Sequence, residues 1–227
     1  MKIDEINMIN GISKQKLRGG YYTPEEIVNF LTDWAVTGKN TKVLEPCFGD
    51  GNFLVSICKK LIDLKAKSSE IRKNLYGTEL NKKEYDKAIK RVSALFNNEV
   101  EFSELKRGDF FLNYVQNFKD IRFDAIVGNP PFIRYQNFEE PYRDRALKIM
   151  KSAGLHPNRL TNTWVPFLLS SALLLKEKGR IGMVMPAEIM QVNYAAELRL
   201  FLSEFFNAIT LITFEKMLFP GIQQEVV

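Results

Sequence analysis

The pattern of apolar and polar positions switches between two periods along the chain, and the switches mark its elements. Short apolar runs bounded by glycine, proline or charge stand at Val43-Leu44, Leu75–Leu80, Val100–Leu105, Phe123–Val127, Gly179–Met185 and Ile209–Phe214. Runs of that length, nearly continuous at 123–127 and 179–185, fit strands buried on both faces. Between them the repeat lengthens toward that of a helix. Ile27, Val28, Phe30 and Leu31 sit in 23–36; a second apolar set fills 52–64; Tyr85, Ala88, Ile89, Val92 and Leu95 form a stripe in 82–96. Two further helices are predicted over Asn162–Lys176 and Ala195–Phe206. Strand alternating with helix predicts a doubly wound α/β domain with a mainly parallel twisted sheet and helices on both faces. The last strand, Gln224–Val227, is expected to be incomplete.

Punctuation supports the boundaries. Thr23-Pro24-Glu25-Glu26 reads as a helix start, with Thr23 as N-cap, Pro24 at the first helical position and Glu26 closing a capping box. Pro166 falls in the first turn of its helix, where a missing N–H does no harm. Residues 1–18, with Ile3, Ile6, Ile9 and Ile12 three apart, read as a lead-in, and 19–227 as one domain.

Composition narrows the class. At 227 residues and 45% hydrophobic content the chain can bury the core of one full α/β domain, with little left for a second. No apolar run approaches the ~18 residues of a membrane span, and the opening residues do not read as a signal peptide, so a cytoplasmic protein with no membrane partner is expected. Cys47, Cys58 and the single His156 lack metal-ligand spacing, so no metal is expected. The net charge of +5 permits nucleic-acid contact. Its distribution says more: Arg134, Arg143, Arg145, Lys148, Lys151 and Arg159 interleave with Tyr135, Phe138 and Tyr142. A solvated helix face and a phosphate-contacting loop both account for that mixture.

The segment directly follows the most informative stretch, Phe123-Asp-Ala-Ile-Val-Gly-Asn-Pro-Pro-Phe132. A buried strand ends at Gly128, and two prolines hold Asn129 and Pro130 extended. The turn then offers a side-chain amide, free carbonyls and an aromatic ring. Asn129 and the Pro130 carbonyl can accept both hydrogens of an exocyclic amine while Phe132 stacks on the ring that bears it. Accepting both hydrogens draws the nitrogen toward a tetrahedral shape and frees its lone pair for attack. A strand-ending turn whose aromatic belongs to the core fits the same residues.

Glu45-Pro46-Cys47-Phe48-Gly49-Asp50-Gly51-Asn52-Phe53 joins a strand to a helix through glycines, as the opening unit of a nucleotide-binding sheet does. Its spacing departs from Gly-x-Gly-x-x-Gly, and Glu45 and Asp50 suit an amine-bearing ligand better than a pyrophosphate. Glu79 ends the second strand, where an acid can accept from ribose hydroxyls. Asp109 can accept from an adenine amine with Phe110 packed on the ring, or Asp109 can cap a helix.

Together these stretches resemble the S-adenosylmethionine-dependent DNA adenine-N6 methyltransferases of gamma-type motif order, as in type IIG and type I modification enzymes. The resemblance implies that Tyr21, Tyr22 and Thr23 meet the methionine part of the cofactor, and that Glu45, Pro46, Cys47, Gly49, Gly51 and Phe53 form its principal loop. It further implies that Glu79 and Leu80 hold the ribose and that Asp109 and Phe110 contact the cofactor's adenine. Asn129, Pro130, Pro131 and Phe132 match the catalytic tetrapeptide, and Phe219-Pro220 the late motif whose ring packs on the target base. The tetrapeptide ends in phenylalanine where tyrosine is more frequent, which keeps the stacking and loses a hydroxyl that the amine chemistry does not use. The implied function is methylation of adenine N6 in double-stranded DNA within a restriction-modification system, with Arg134, Arg143 and Arg145 on phosphates. The target-recognition domain is expected to be absent from this chain, leaving room for a separate recognition or restriction subunit. Alternatives from the residues are methylation of protein glutamine or RNA guanine, or a cofactor- and DNA-binding subunit without turnover.

Overall fold

A computed structural model describes residues 22–97, 101–214 and 225–227. The lead-in, Tyr21, Val100 and Phe219-Pro220 lie outside them. Five parallel strands form one sheet: β1 Val43–Glu45, β2 Leu75–Glu79, β3 Leu105–Arg107, β4 Phe123–Gly128 and β5 Leu175–Met183. Their order is β3-β2-β1-β4-β5. The chain therefore builds outward from β1 to β3 and then returns to lay β4 on the other side of β1. That reversal makes the β1/β4 junction the switch point, and sheets of this kind bind ligands beyond the carboxyl ends of the strands there.

Alternate strand residues sort to the two faces. Val43, Leu75, Leu105, Ala125 and Val127 pack under α1 Glu25–Ala35, α2 Asn52–Asp63 and α4 Lys82–Ala94. Leu44, Tyr76, Phe123 and Ile126 pack on the opposite face against Phe110 and Phe111 of α5 Phe110–Asn113, Ile149 of α6 Tyr142–Ser152 and Phe167 of α7 Trp164–Leu173. The short helix α3 Ser68–Asn74 leads into β2. Beyond β5, Trp164, Leu168 and Leu169 of α7 meet Leu198 and Leu202 of α8 Ala196–Phe205 in a third cluster. Helix α7 is buried nearly all round, as a helix between two packed layers must be.

Several boundaries differ from the sequence reading. Helix α1 starts at Glu25 with Pro24 in the cap position and no side-chain cap, so Thr23 is not its N-cap. Helix α7 ends at Leu173, because β5 begins at Leu175 with an irregular register against β4 before Arg180. The stretch 209–214 forms no strand: Ile209 is 52% exposed and Leu211 47%. The edge of β5 is used otherwise, since Met185 and Val227 exchange two backbone hydrogen bonds of 2.8 Å and Ala187 N–H donates to Glu225 at 2.9 Å. That contact is antiparallel. An apolar run becomes a strand only where an edge offers it a ladder. The 134–159 segment holds a single turn at Tyr135–Asn137 and then helix α6.

Candidate active site

The carboxyl ends of β1 and β4 lie side by side, with Leu44 paired to Ile126. A Cβ on Gly128 would stand 3.6 Å from both Glu45 Cγ and Pro46 Cδ, so the turn after β4 touches the loop after β1. The half-buried Cys47 joins them directly, its thiol donating to the Asn129 carbonyl at 3.3 Å. Burial, then the carboxyls of Glu45 and Glu79, push that thiol well above its ordinary pKa, which keeps the proton it donates.

The loop after β1 is drawn down onto β2. Phe48 N–H donates to the Thr78 carbonyl at 3.0 Å, and the Thr78 hydroxyl donates to the Pro46 carbonyl. Gly49 N–H donates to Glu79 Oε2 at 2.9 Å, while Glu79 Oε1 accepts from Asn81 N–H at 2.6 Å. Burial raises the pKa of Glu79 despite these donors. Gly49 and Gly51 have φ of 50° and 87°. A Cβ on Gly51 would stand 2.9 Å from Ala88 Cβ, so only glycine lets α2 start this close to α4. Around Gly49 the same probe meets nothing within 4 Å, leaving the loop open to a ligand.

Glu45 is the anomaly of this rim. It is 2% exposed and, among the described residues, its Oε2 has no hydrogen-bond partner. Burial raises its pKa well above the carboxylate range, and the neighbouring Glu79 and Asp50 raise it further. A backbone hydrogen bond from Leu54 reaches the carboxyl, and the buried oxygen left over can take a cation or amine from outside the chain. Asp50 does not share that role: Lys87 and Arg91 of α4 pair with it at 3.0 and 2.8 Å. The acidic rim expected from two residues is Glu45 with Glu79.

The turn after β4 is held by side chains from far along the chain. Asn129 Nδ2 donates to Thr23 Oγ1 at 3.1 Å. The Thr163 hydroxyl donates to the Pro131 carbonyl and accepts from Ile133 N–H at 2.9 Å. With the Asn129 and Pro131 carbonyls so engaged, Pro130 presents the carbonyl that no donor among the described residues reaches. Phe132 is half-buried beside Val184 and Val226.

The model of the N-6 DNA methylase family matches residues 8–226. This chain belongs to that family. It is 27% identical over 223 residues to the type II methyltransferase M.BstVI of Geobacillus stearothermophilus, covering 83% of this chain and 37% of that protein. With M.HincII of Haemophilus influenzae it shares 26% over 216 residues, 95% of this chain and 37% of the relative. The chain thus spans little more than a third of these relatives' length. In fold it is similar to a nuclease-deletion mutant of the type ISP restriction-modification enzyme LlaGI in complex with a DNA substrate mimic, with a TM-score of 0.66 and 21% identity over 82% of this chain and 22% of that one. It also matches the type I restriction-modification methyltransferase subunit from Streptococcus thermophilus, at a TM-score of 0.61 and 20% identity over 81% of this chain and 38% of that one.

Other expected site residues lie farther from the junction or inside the core. Tyr22 donates to Glu84 at 3.0 Å, with Lys87 5.1 Å over its ring, so it flanks the glycine loop tied to α4. Leu80 is 53% exposed beside Glu79, an apolar face at the rim. Phe53 is 3% exposed and belongs to the core under α2, not to a ligand. Asp109 caps α5 through Leu112 N–H at 2.9 Å and pairs with Arg145 at 3.2 Å. Burial raises its pKa above the ordinary value. Phe110 is 2% exposed and stacked on Phe167, ring centres 5.1 Å apart, so packing of its ring on an adenine gives way to packing in the core. Arg143 pairs with Glu140 at 2.5 Å and lies 4.8 Å over Tyr135. Arg143 and Arg145 are thus held by their own chain, leaving Arg134, Lys148, Lys151 and Arg159 as the exposed cations of the segment. Two open clefts of about 550 and 650 Å³ lie at the amino ends of the strands, around Lys42 and Tyr76 and around Lys39 and Asp124, and hold none of these residues. Among the described residues, no helix is long and apolar enough to cross a membrane, and no group of acidic, cysteine or histidine side chains could hold a metal ion.

Sequence reasoning missed Thr163. Its Thr-Asn-Thr context looks like an ordinary helix start, and nothing in its spacing connects it to Pro131.

Proposed function

We propose that residues 19–227 are the methyl-transfer domain of a cytoplasmic restriction-modification enzyme that takes S-adenosylmethionine and methylates the N6 amine of adenine in double-stranded DNA. The observation that carries the reading is the meeting, at one junction, of a buried carboxyl whose Oε2 finds no partner among the described residues and an asparagine-proline turn with a carbonyl that none of their donors reaches. Membership of the N-6 DNA methylase family supports it.

The residues suit the cofactor's groups. Glu45 can pair with an ammonium, and the Glu79 carboxylate keeps lone pairs for ribose hydroxyls beyond its backbone donors. Leu80 offers a face for an adenine ring. When bound, the cofactor supplies a methyl already activated by a sulfonium, so the protein's work is positioning. The target adenine leaves the duplex at a cost of a few kcal/mol, partly offset by stacking on Phe132 worth roughly 1–3 kcal/mol. Asn129 Oδ1 and the Pro130 carbonyl accept the amine's hydrogens and aim its lone pair. Arg134, Lys148, Lys151 and Arg159 supply the phosphate contacts in place of Arg143 and Arg145. Base recognition falls to a further domain or a separate subunit.

Incubation with tritium-labelled cofactor and separate DNA, RNA and protein acceptors tests the reading. Label recovered as N6-methyladenine from duplex DNA is the expected result; label in RNA or protein alone overturns it.

A further inference from the structure

The spacing Thr-Pro-Glu-Glu assigns the Thr23 hydroxyl to the start of a helix, and the fold uses it elsewhere. Helix α1 closes its first turn without a side chain, the Pro24 carbonyl accepting from Ile27 and Val28 N–H at 3.1 Å. Thr23 is 4% exposed and reaches across the junction to the Asn129 amide. A primary amide has a donor end and an acceptor end of nearly the same shape, related by a half-turn. Only the oxygen end can accept from a target amine. The contact with Thr23 engages the nitrogen end, so the oxygen is the end turned away from Thr23.

We infer that Thr23 is a positioning residue for methyl transfer: its hydroxyl anchors the nitrogen end of the Asn129 amide and so fixes where the oxygen end stands for the substrate amine. The inference rests on the proposed function, and it departs from the resemblance, which makes Thr23 a contact of the cofactor. A further grip comes from Cys47, on the glycine loop, which holds the Asn129 backbone carbonyl. Both contacts come from stretches matched to cofactor binding, so the asparagine is set by the walls of the cofactor site.

The test uses isotope-labelled chain and three variants. Asn129→Ala identifies the Asn129 side-chain amide signals by their loss. Thr23→Val keeps the shape of the buried side chain and removes the hydroxyl; Thr23→Ser returns it. The valine variant is expected to shift the Asn129 amide pair. It should also slow transfer roughly tenfold at saturating cofactor and DNA while leaving cofactor affinity within about twofold by calorimetry. Serine should restore both. Amide signals unmoved in Thr23→Val overturn the inference whether or not the chain turns over. Weakened cofactor binding with normal transfer at saturation also overturns it, assigning the hydroxyl to the cofactor. Transfer that survives Asn129→Ala sinks the functional reading instead, and the amide signals then judge Thr23 alone.

Discussion

The two turns that meet at the β1/β4 junction are built in opposite ways. After β1, glycines and backbone hydrogen bonds shape the loop: Gly51 N–H closes on the Phe48 carbonyl at 2.8 Å, and the neighbouring strand supplies the rest through Thr78 and Glu79. The buried acid of that loop, Glu45, lacks a partner at Oε2 among the described residues. After β4, prolines remove the N–H groups that would tie the turn to the sheet. Thr23, Cys47 and Thr163 hold it instead, from 106, 82 and 32 residues away in sequence. A loop held by its own backbone can leave a carboxyl ready for a ligand; a turn held by distant hydroxyls can orient an amide. On the proposed function, binding and orientation fall to different turns.

Substitutions that hit one turn and spare the other test that division. The largest effect is expected from Asn129→Ala, which should slow methyl transfer by about 10²–10³-fold, the cost of losing a preorganised polar contact to the reacting group, with cofactor binding intact. Loss of both together would merge the two turns into one function. Glu45→Gln should do the converse, weakening cofactor binding roughly ten- to a hundredfold by removing a charge-assisted hydrogen bond.

The same variant has a signature in pH. Because the folded-state pKa of Glu45 is raised by burial, the folded chain holds a proton there that the unfolded chain releases above about pH 4.3. Wild-type stability without cofactor should therefore fall as the pH climbs past that value, until the folded carboxyl also ionises. Urea midpoints at pH 5 and pH 8 should differ less in Glu45→Gln than in wild type; an equal difference would mean that the carboxyl is not buried as described.

Gly51→Ala probes the backbone-built loop itself. A Cβ 2.9 Å from Ala88 at φ 87° should cost about 1–3 kcal/mol in denaturant unfolding, with cofactor affinity falling alongside. The smallest effect is expected from Cys47→Ala, which removes one weak donor between the turns. A few-fold slower transfer, with stability nearly unchanged, should be read at saturating cofactor. A tenfold loss of cofactor affinity would place Cys47 among the ligand contacts.

Much of the fold was legible because its signals are local. Continuous apolar runs identified β4 and the core of β5, and glycine placement identified the loop after β1. The ladder that 209–214 would need was not legible, nor was the antiparallel contact of Val227 with Met185, because pairing depends on which edge is open. For the site, Asn129, Pro130 and Glu45 could be singled out from residue type and order, while Phe53 and Phe110 could not be told from ligand contacts. Whether an aromatic side chain meets a ligand or Phe167 depends on which helix lands above it.

Residue order alone determined the alternation of strands and helices, the class of sheet and the chemistry available at its rim, since these follow from periodicity and side-chain type. Tertiary structure decided which of those groups stay unpartnered. Asp50 found Lys87 and Arg91, Asp109 found Arg145, and Glu45 Oε2 found no partner among the described residues. Pairing is a matter of distance between elements far apart in sequence, so it exists only once the helices have packed.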